Sequence, residues 1–495
     1  MKFTELSAYE LPAGTVTEWT PATIRPPEEW AVDDRPLSYE HEDHIARTAG
    51  RRTSHPEENS WLGAVFEVDR PLDHAAMERT MLSWTRRHEA FRTTVTLHED
   101  ARGSQVVRRT LDPGAVQVQR RDLGSFADGE VADHLIATFD RRLSPLTWPH
   151  CSVATISDIP SPRSANAFLI LFAADHSVMD AYSMFLCINE LRTLYDAELD
   201  GHEPELPTTG SHVDHSGDNR SVGEELTIDH AAVQRWRRFL DACHGSLPGL
   251  EMTVADRDTS TVGARTAAVR QRGWAGQVAT AGQMAALNSV CRELGHSTQT
   301  AVVTALALAH RELTGLPRMR AVMPMHTRDE PRYVESVGWY VGLGPLDVDL
   351  AGARSIEDAL GAAAAGTDEA KRLSRLPYPR IAQLLETDAE PEFVISYLDL
   401  RFVPAASRWP AWKAQTLRGS TRSDTEVYIW AARTPTGMTV STRFPGNDTA
   451  AANVRLLIDT TAAVIADIAE SGPHHTFERS LGPHARPEHD ERQPA

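Results

Sequence analysis

An uninterrupted apolar run, Ala167 to Ala174, leads through Asp175 and His176 into a stretch where Met184, Phe185, Ile188, Leu191 and Tyr195 recur at helical spacing. The run reads as a strand and the recurrence as a helix, and that switch of period is what an α/β layer requires. The pattern repeats upstream. Trp61 to Asp69 is strand-like and ends before Pro71, after which Leu72, Ala76, Met77, Met81 and Trp84 follow at helical spacing. Short β-rich runs come at Arg92 to Leu97 and Gln105 to Thr110.

At 495 residues the chain exceeds what one hydrophobic core usually serves, so two lobes are expected. Between Gly201 and Glu225 the sequence turns polar, and Pro204, Pro207, Gly210, Gly217 and Gly223 break any periodicity, which marks a surface linker. This places an N-terminal subdomain over 1–200, a linker over 201–225 and a C-terminal subdomain over 226–470. In the second lobe, helices are expected over Met284 to Leu294, Thr300 to Leu313, Ile356 to about Lys371 and Thr449 to about Ala469, with strands at Met319 to Met325, Phe393 to Leu398, Glu426 to Ala431 and Met438 to Phe444. Residues 471–495 are rich in Pro, His, Glu and Arg, bury almost nothing apolar, and read as a disordered tail.

Several functions lose their footing on charge and composition. Fifty basic against 69 acidic residues give a net charge of −19, which argues against a nucleic-acid partner. Only Lys2, Lys371 and Lys413 are lysines, and none sits in a phosphate-binding Gly-x-x-x-x-Gly-Lys frame. The longest apolar run is far shorter than the roughly 20 residues of a bilayer-spanning helix, so no membrane span is expected. Cys151, Cys187, Cys243 and Cys291 lie far apart, as buried thiols do in a reducing compartment, and the cytoplasm is the expected location. His41-Glu42-Asp43-His44 lacks the i, i+4 histidine pair of a zinc helix and His474-His475 falls in the polar tail, so no metal is expected. Neither a Gly-x-Ser-x-Gly elbow nor a Gly-x-Gly-x-x-Gly fingerprint occurs.

What remains is the strand end itself. His176 and Asp180 are four apart where the strand gives way to the helix, the place where α/β folds set their working residues. An imidazole there can take a proton from a hydroxyl or amine, and such a base contributes on the order of a hundred- to ten-thousandfold in rate. Asp180 reads either as a carboxylate that pairs with an arginine or as the N-cap of the helix.

Several segments, in order, resemble those of the condensation-domain superfamily, which shares the chloramphenicol acetyltransferase-like fold. Pro36-Leu37-Ser38-Tyr39 is similar to its opening Leu-Ser-x-x-Gln motif, and Arg87-His88-Glu89-Ala90-Phe91-Arg92-Thr93 to its Arg-His-Glu-x-Leu-Arg-Thr motif. Asp175 to Ala181 resembles His-His-x-x-x-Asp-Gly, Met323 to Arg328 the Pro-x-x-x-Arg segment, and Val337 to Gly342 Val-Gly-x-Phe-Val-Asn. Phe393 to Leu398 is similar to the Phe-Asn-Tyr-Leu segment, and Tyr9, Leu11, Gly14, Thr17, Glu18 and Trp19 resemble the N-terminus of polyketide-associated acyltransferases.

The resemblance implies two chloramphenicol acetyltransferase-like α/β subdomains in a V, with an active-site tunnel between them. It implies His176 as the catalytic residue and Asp180 as the structural carboxylate, paired with Arg92 or, as the other candidate of that motif, Arg87. It suggests Ser396 as an oxyanion donor, and Trp339 and Tyr340 as channel residues whose other reading is plain core. Asp175 departs from the first motif histidine, and Ala181 from a glycine, which would be costly if that backbone needs a positive φ.

The implied function is acyl transfer from a thioester, on coenzyme A or a carrier protein, to an acceptor hydroxyl in natural-product or lipid biosynthesis, with no bound cofactor. A monomer is expected. The alternatives are a free-standing amide-forming enzyme of nonribosomal peptide assembly, with an amine acceptor, and a catalytically silent module that docks carrier proteins.

Overall fold

The computed structural model describes residues 1–51, 60–100, 103–255 and 268–472. The expected disordered tail, from residue 473 on, lies outside the described residues. Among the described residues three sheets carry the fold. The first has seven strands in the order Phe3–Glu5, Gln415–Arg418, Trp61–Val68, Phe168–Asp175, Cys151–Ser157, Gly14–Ala22 and Gln117–Phe126. The second has six, in the order Gln271–Thr280, Gly437–Pro445, Val427–Thr434, Phe393–Asp399, Arg318–His326 and Val341–Asp349. Ala31–Val32, Gly103–Thr110 and Thr93–Asp100 form the third.

Phe168–Asp175 lies near the centre of the first sheet and is buried along its whole length, which is why it reads as a continuous apolar run. Helix Ala181–Asp200 crosses back over that sheet, burying Met184, Phe185, Cys187, Ile188 and Leu191 in the same cluster as Phe66, Phe172 and Trp84. Each such side chain contributes about 1.5–3 kcal/mol by leaving water. In the second half, helix Thr298–Thr314 is buried on nearly every side between its sheet and helices Ile356–Leu373 and Asp448–Ser471. Asp448–Ser471 is long and apolar enough to cross a membrane, yet Val454, Leu457, Ile458, Ile465 and Ile468 pack into this core.

Two features depart from the expected layout. Gln415–Arg418 comes from the second half but pairs antiparallel with Trp61–Val68 and parallel with Phe3–Glu5, inside the first sheet. The first sheet is therefore not built from residues 1–200 alone. Four residues are too few to show a period, so the sequence offered no sign of it. Second, residues 212–224 of the expected linker form a helix with His212, Val213 and Ser216 buried. The N-terminal strand also ties the two sheets: Phe3 N donates to Ser441 Oγ at 2.9 Å, and Glu5 pairs with Arg418 and Arg270, each at 3.1 Å.

Candidate active site

Phe168–Asp175 delivers its last residue to the seam between the halves, where the chain makes one 3-10 turn, His176–Val178, before helix Ala181–Asp200 begins. Asp175 caps that turn by accepting from Ser177 N at 2.8 Å, and the backbone N–H of His176 donates to Ser60 O at 3.1 Å. The His176 imidazole is thus held by its own backbone at a junction of strand and helix. His176 is partly exposed and lines a cavity of about 960 Å³ whose wall includes Leu62, Tyr182, His326, Ser396 and Trp430, residues of both halves.

The His176 ring centroid lies 4.2 Å from that of Trp339, tilted by 41°, and its Nδ1 is buried without a partner. Burial, and then the neighbouring His44, push its pKa below the ordinary imidazole value. The ring is accordingly neutral near pH 7, with a lone pair to offer.

Asp180 does both things its position suggested. It is the N-cap of the helix, accepting from Ser183 N at 2.6 Å, and it is half of a buried ion pair. Its partner is neither Arg92 nor Arg87 but Arg328, whose Nη2 lies 3.1 and 3.2 Å from the two carboxylate oxygens and 2.7 Å from Ser183 Oγ. Tyr340 N donates to Asp180 Oδ2 at 3.0 Å, and Asp180 N to Gly338 O at the same distance. Burial raises the carboxyl pKa, but Arg328 and the amide donors outweigh it and hold it below the usual range.

Arg92 closes the turn Glu89–Arg92 and spends its guanidinium on Leu111 O at 2.7 Å, while Arg87 donates to Glu190 at 2.9 Å and to Pro207 O at 2.6 Å. Both serve the first half's own packing. Arg328 was reachable in the sequence only as the last residue of the Pro-x-x-x-Arg segment.

Ser396 lines the cavity from strand Phe393–Asp399, opposite Trp430 in register. Trp339 backs His176. Tyr340 does not line the cavity: it is fully buried, donates to Ser336 Oγ at 2.8 Å, and lies under Arg328, whose guanidinium carbon is 4.1 Å from its ring centroid. Its ring serves as a platform for the ion pair, a cation–π contact. Ala181 has no positive φ, so its methyl meets no backbone penalty. Asp175, in place of the first motif histidine, faces His44 at 3.2 Å. Among the described residues no group of three or more His, Cys, Asp or Glu is placed to hold a metal ion.

The family described as condensation domain matches residues 52–409. Over 475 residues the chain is 25% identical to acyltransferase PapA3 of Mycobacterium tuberculosis, covering 93% of this chain and 95% of that protein. It is 24% identical over 434 residues to trehalose-2-sulfate acyltransferase PapA2 of the same organism, covering 86% and 87%. Among solved structures, a PapA2 acyl transferase superposes with a TM-score of 0.80 at 22% identity, covering 95% of this chain and all of the other. The first condensation domain of the CDA synthetase superposes at 0.63 and 16% identity, covering 89% and 97%. The architecture is therefore the two-subdomain chloramphenicol acetyltransferase-like one.

Proposed function

The chain belongs to the condensation-domain family and is an acyltransferase, and from that premise we propose that His176 is the base of its reaction and Asp180 the carboxylate that fixes the loop around it. The reaction joins an acyl group from a thioester to an acceptor hydroxyl, giving an ester and a free thiol. The observation that carries the assignment is an imidazole on the wall of a cavity bounded by both halves, with Nδ1 buried so that Nε2 is the nitrogen left for substrate; burial pushes its pKa down, which favours the neutral form.

The acceptor hydroxyl gives its proton to His176 Nε2 as its oxygen attacks the thioester carbonyl carbon. The tetrahedral oxyanion collapses, the carbon–sulfur bond breaks, and the leaving thiolate takes the proton back from the imidazolium. Ser396 is the candidate oxyanion donor, and removal of such a donor typically costs about 2.7–4 kcal/mol. Holding both substrates in one cavity turns an encounter of two molecules into a reaction within one complex.

We assign the thioester to coenzyme A or a carrier protein, since Arg141, Lys371, Arg375 and Arg422 give the cavity cationic groups in a chain of net charge −19. A monomer in the cytoplasm fits a cavity built within one chain and four free cysteines, and we keep 201–225 as the boundary between the two subdomains.

Intact-mass analysis of reactions with a panel of acyl thioesters and paired alcohol and amine acceptors tests the reading. Ester products from acyl-coenzyme A or acyl-carrier donors are expected, and amide products alone would replace it with the amide-forming alternative. His176→Ala should lower kcat at least a hundredfold with Tm unchanged. Full activity in that variant removes His176 from the mechanism.

A further inference from the structure

A second imidazole on the cavity wall has no part in the steps above. His44, from helix Tyr39–Arg51, lines the same cavity as His176, and its Nε2 lies 3.2 Å from Asp175 Oδ1 and 3.3 Å from Ser60 Oγ. Ser60 Oγ donates to the other Asp175 oxygen at 3.3 Å, while the Ser60 carbonyl accepts from the backbone N–H of His176. The Trp339 indole then bridges the two imidazoles: its centroid is 4.2 Å from that of His176 and 5.4 Å from that of His44, edge to face at 74°. Residues from separate elements thus meet on the backbone of the base and on the ring behind it.

Asp175 explains why His44 is there. The carboxylate is buried, with 1% of its surface exposed, and burial alone would raise its pKa. His44, followed by the Ser177 bonds, overcomes that and keeps it ionised. A buried carboxylate needs donors and a cation to offset its desolvation, and the His44 imidazole supplies both when protonated. Removing the motif histidine at position 175 therefore does not leave the site with one imidazole; it pairs a carboxylate with another imidazole from a different helix.

We infer that His44 is a positioning residue for acyl transfer: anchored by Asp175 and Ser60, it braces Trp339 against His176 and sets a second titratable ring beside the base. The inference rests on the reading of His176 as the base. The charged and titratable groups acting on His176 are His44, Asp175 and Asp180, the last tied to Arg328; His44 in turn acts on His41 and His150. Two neighbouring imidazoles resist being protonated together, so a charged His44 lets His176 keep its lone pair to lower pH.

The test uses the full chain as wild type, His44→Gln, His44→Ala, Asp175→Asn and His176→Ala. The protonation midpoint of His176 is read, without any substrate, from the pH dependence of its modification by diethyl pyrocarbonate, quantified by peptide mass spectrometry. Glutamine at position 44 keeps an N–H for Asp175 and carries no charge, so the midpoint should rise by at least half a pH unit in His44→Gln. In parallel, with the acyl-coenzyme A and alcohol pair that wild type turns over, kcat should fall at least tenfold in His44→Ala with KM little changed. His44→Gln should recover part of that rate while its acidic limb moves to higher pH.

An unchanged midpoint together with unchanged kcat in His44→Gln and His44→Ala, while His176→Ala is inactive, overturns the role of His44 and leaves the base standing. Activity retained in His176→Ala overturns the base itself, whatever the position 44 variants do. Equal losses of Tm and rate in all position 44 and 175 variants, with no midpoint shift, reduce the cluster to packing.

Discussion

The Asp180 carboxylate accepts from Arg328, from two backbone amides and from none of the histidines, so its removal should register on the fold before it registers on the chemistry. Asp180→Ala leaves a guanidinium with 4% of its side chain exposed unpaired, and breaking such a pair costs about 3–5 kcal/mol, to which a lost N-cap adds about 1. Urea unfolding should show that drop, and Arg328→Leu alone a similar one, because either leaves one buried charge. The double variant should cost less than the two singles together; strict additivity would mean the two residues act separately. The family resemblance singled out His176 and Asp180, and the strand end that carries them was legible from the switch of period, a local pattern. Arg328 was not, since it reaches Asp180 across 148 positions and only the register of the second half brings it there. His44 was visible only as half of a histidine pair with the wrong spacing for zinc, a test that asks about metals and says nothing of a neighbour on another element.

At the scale of elements, helix His212–Glu224 is the instructive case. It reads as linker because it has almost no apolar stripe; its buried face is made of His212, Val213, Ser216 and Gly223 instead, with His215 half-buried beside them. His212 Nε2 donates to Trp339 O at 3.0 Å, and His215 Nε2 lies 3.1 Å from Thr327 Oγ1, with Tyr333 and Tyr340 packed on the rings. Gly338 runs so close to His212 that a Cβ there would sit 2.4 Å from the ring. Burial, then its neighbour His215, bring the His212 pKa down to about 3; burial, then Arg328, bring His215 to about 4. Both folded values lie below the ordinary 6.5, so the unfolded chain binds protons first. The stability these histidines give is complete above pH 6.5 and is lost as pH falls through about 4 for His215 and about 3 for His212. Denaturant midpoints at pH 7, 5.5 and 4.5 should fall steadily, and a His212→Gln, His215→Gln double variant should flatten that fall. A slope unaltered by the substitutions would assign acid sensitivity to other groups. The long elements were legible from period alone: helix Thr298–Thr314 and strand Phe393–Asp399 lie within a residue or two of where the sequence put them. Strand Gln117–Phe126 was not, because it is an exposed edge whose residues are mostly polar.

For the whole molecule, the exchange of Gln415–Arg418 into the first sheet means the halves cannot be cut apart at the 201–225 stretch. Residues 1–225 alone would leave the edge of Trp61–Val68 unpaired and Leu417, fully buried in the whole chain, absent from its cluster. Expressed alone, that fragment should aggregate or lack a cooperative transition, and co-expression with 226–472 should restore it; a sharp transition in the lone fragment would show the exchanged strand to be dispensable. The cavity depends on the same exchange, since Arg418 and Gly419 line it beside Leu62.

The same crossing fixes an order of events during synthesis. Trp61–Val68 leaves the ribosome roughly 350 residues before its neighbour Gln415–Arg418, an interval of about 20–70 s at ordinary elongation rates. Throughout that time the nascent sheet has an open, largely apolar rim, so the growing polypeptide is expected to lean on chaperones until its last fifth has emerged.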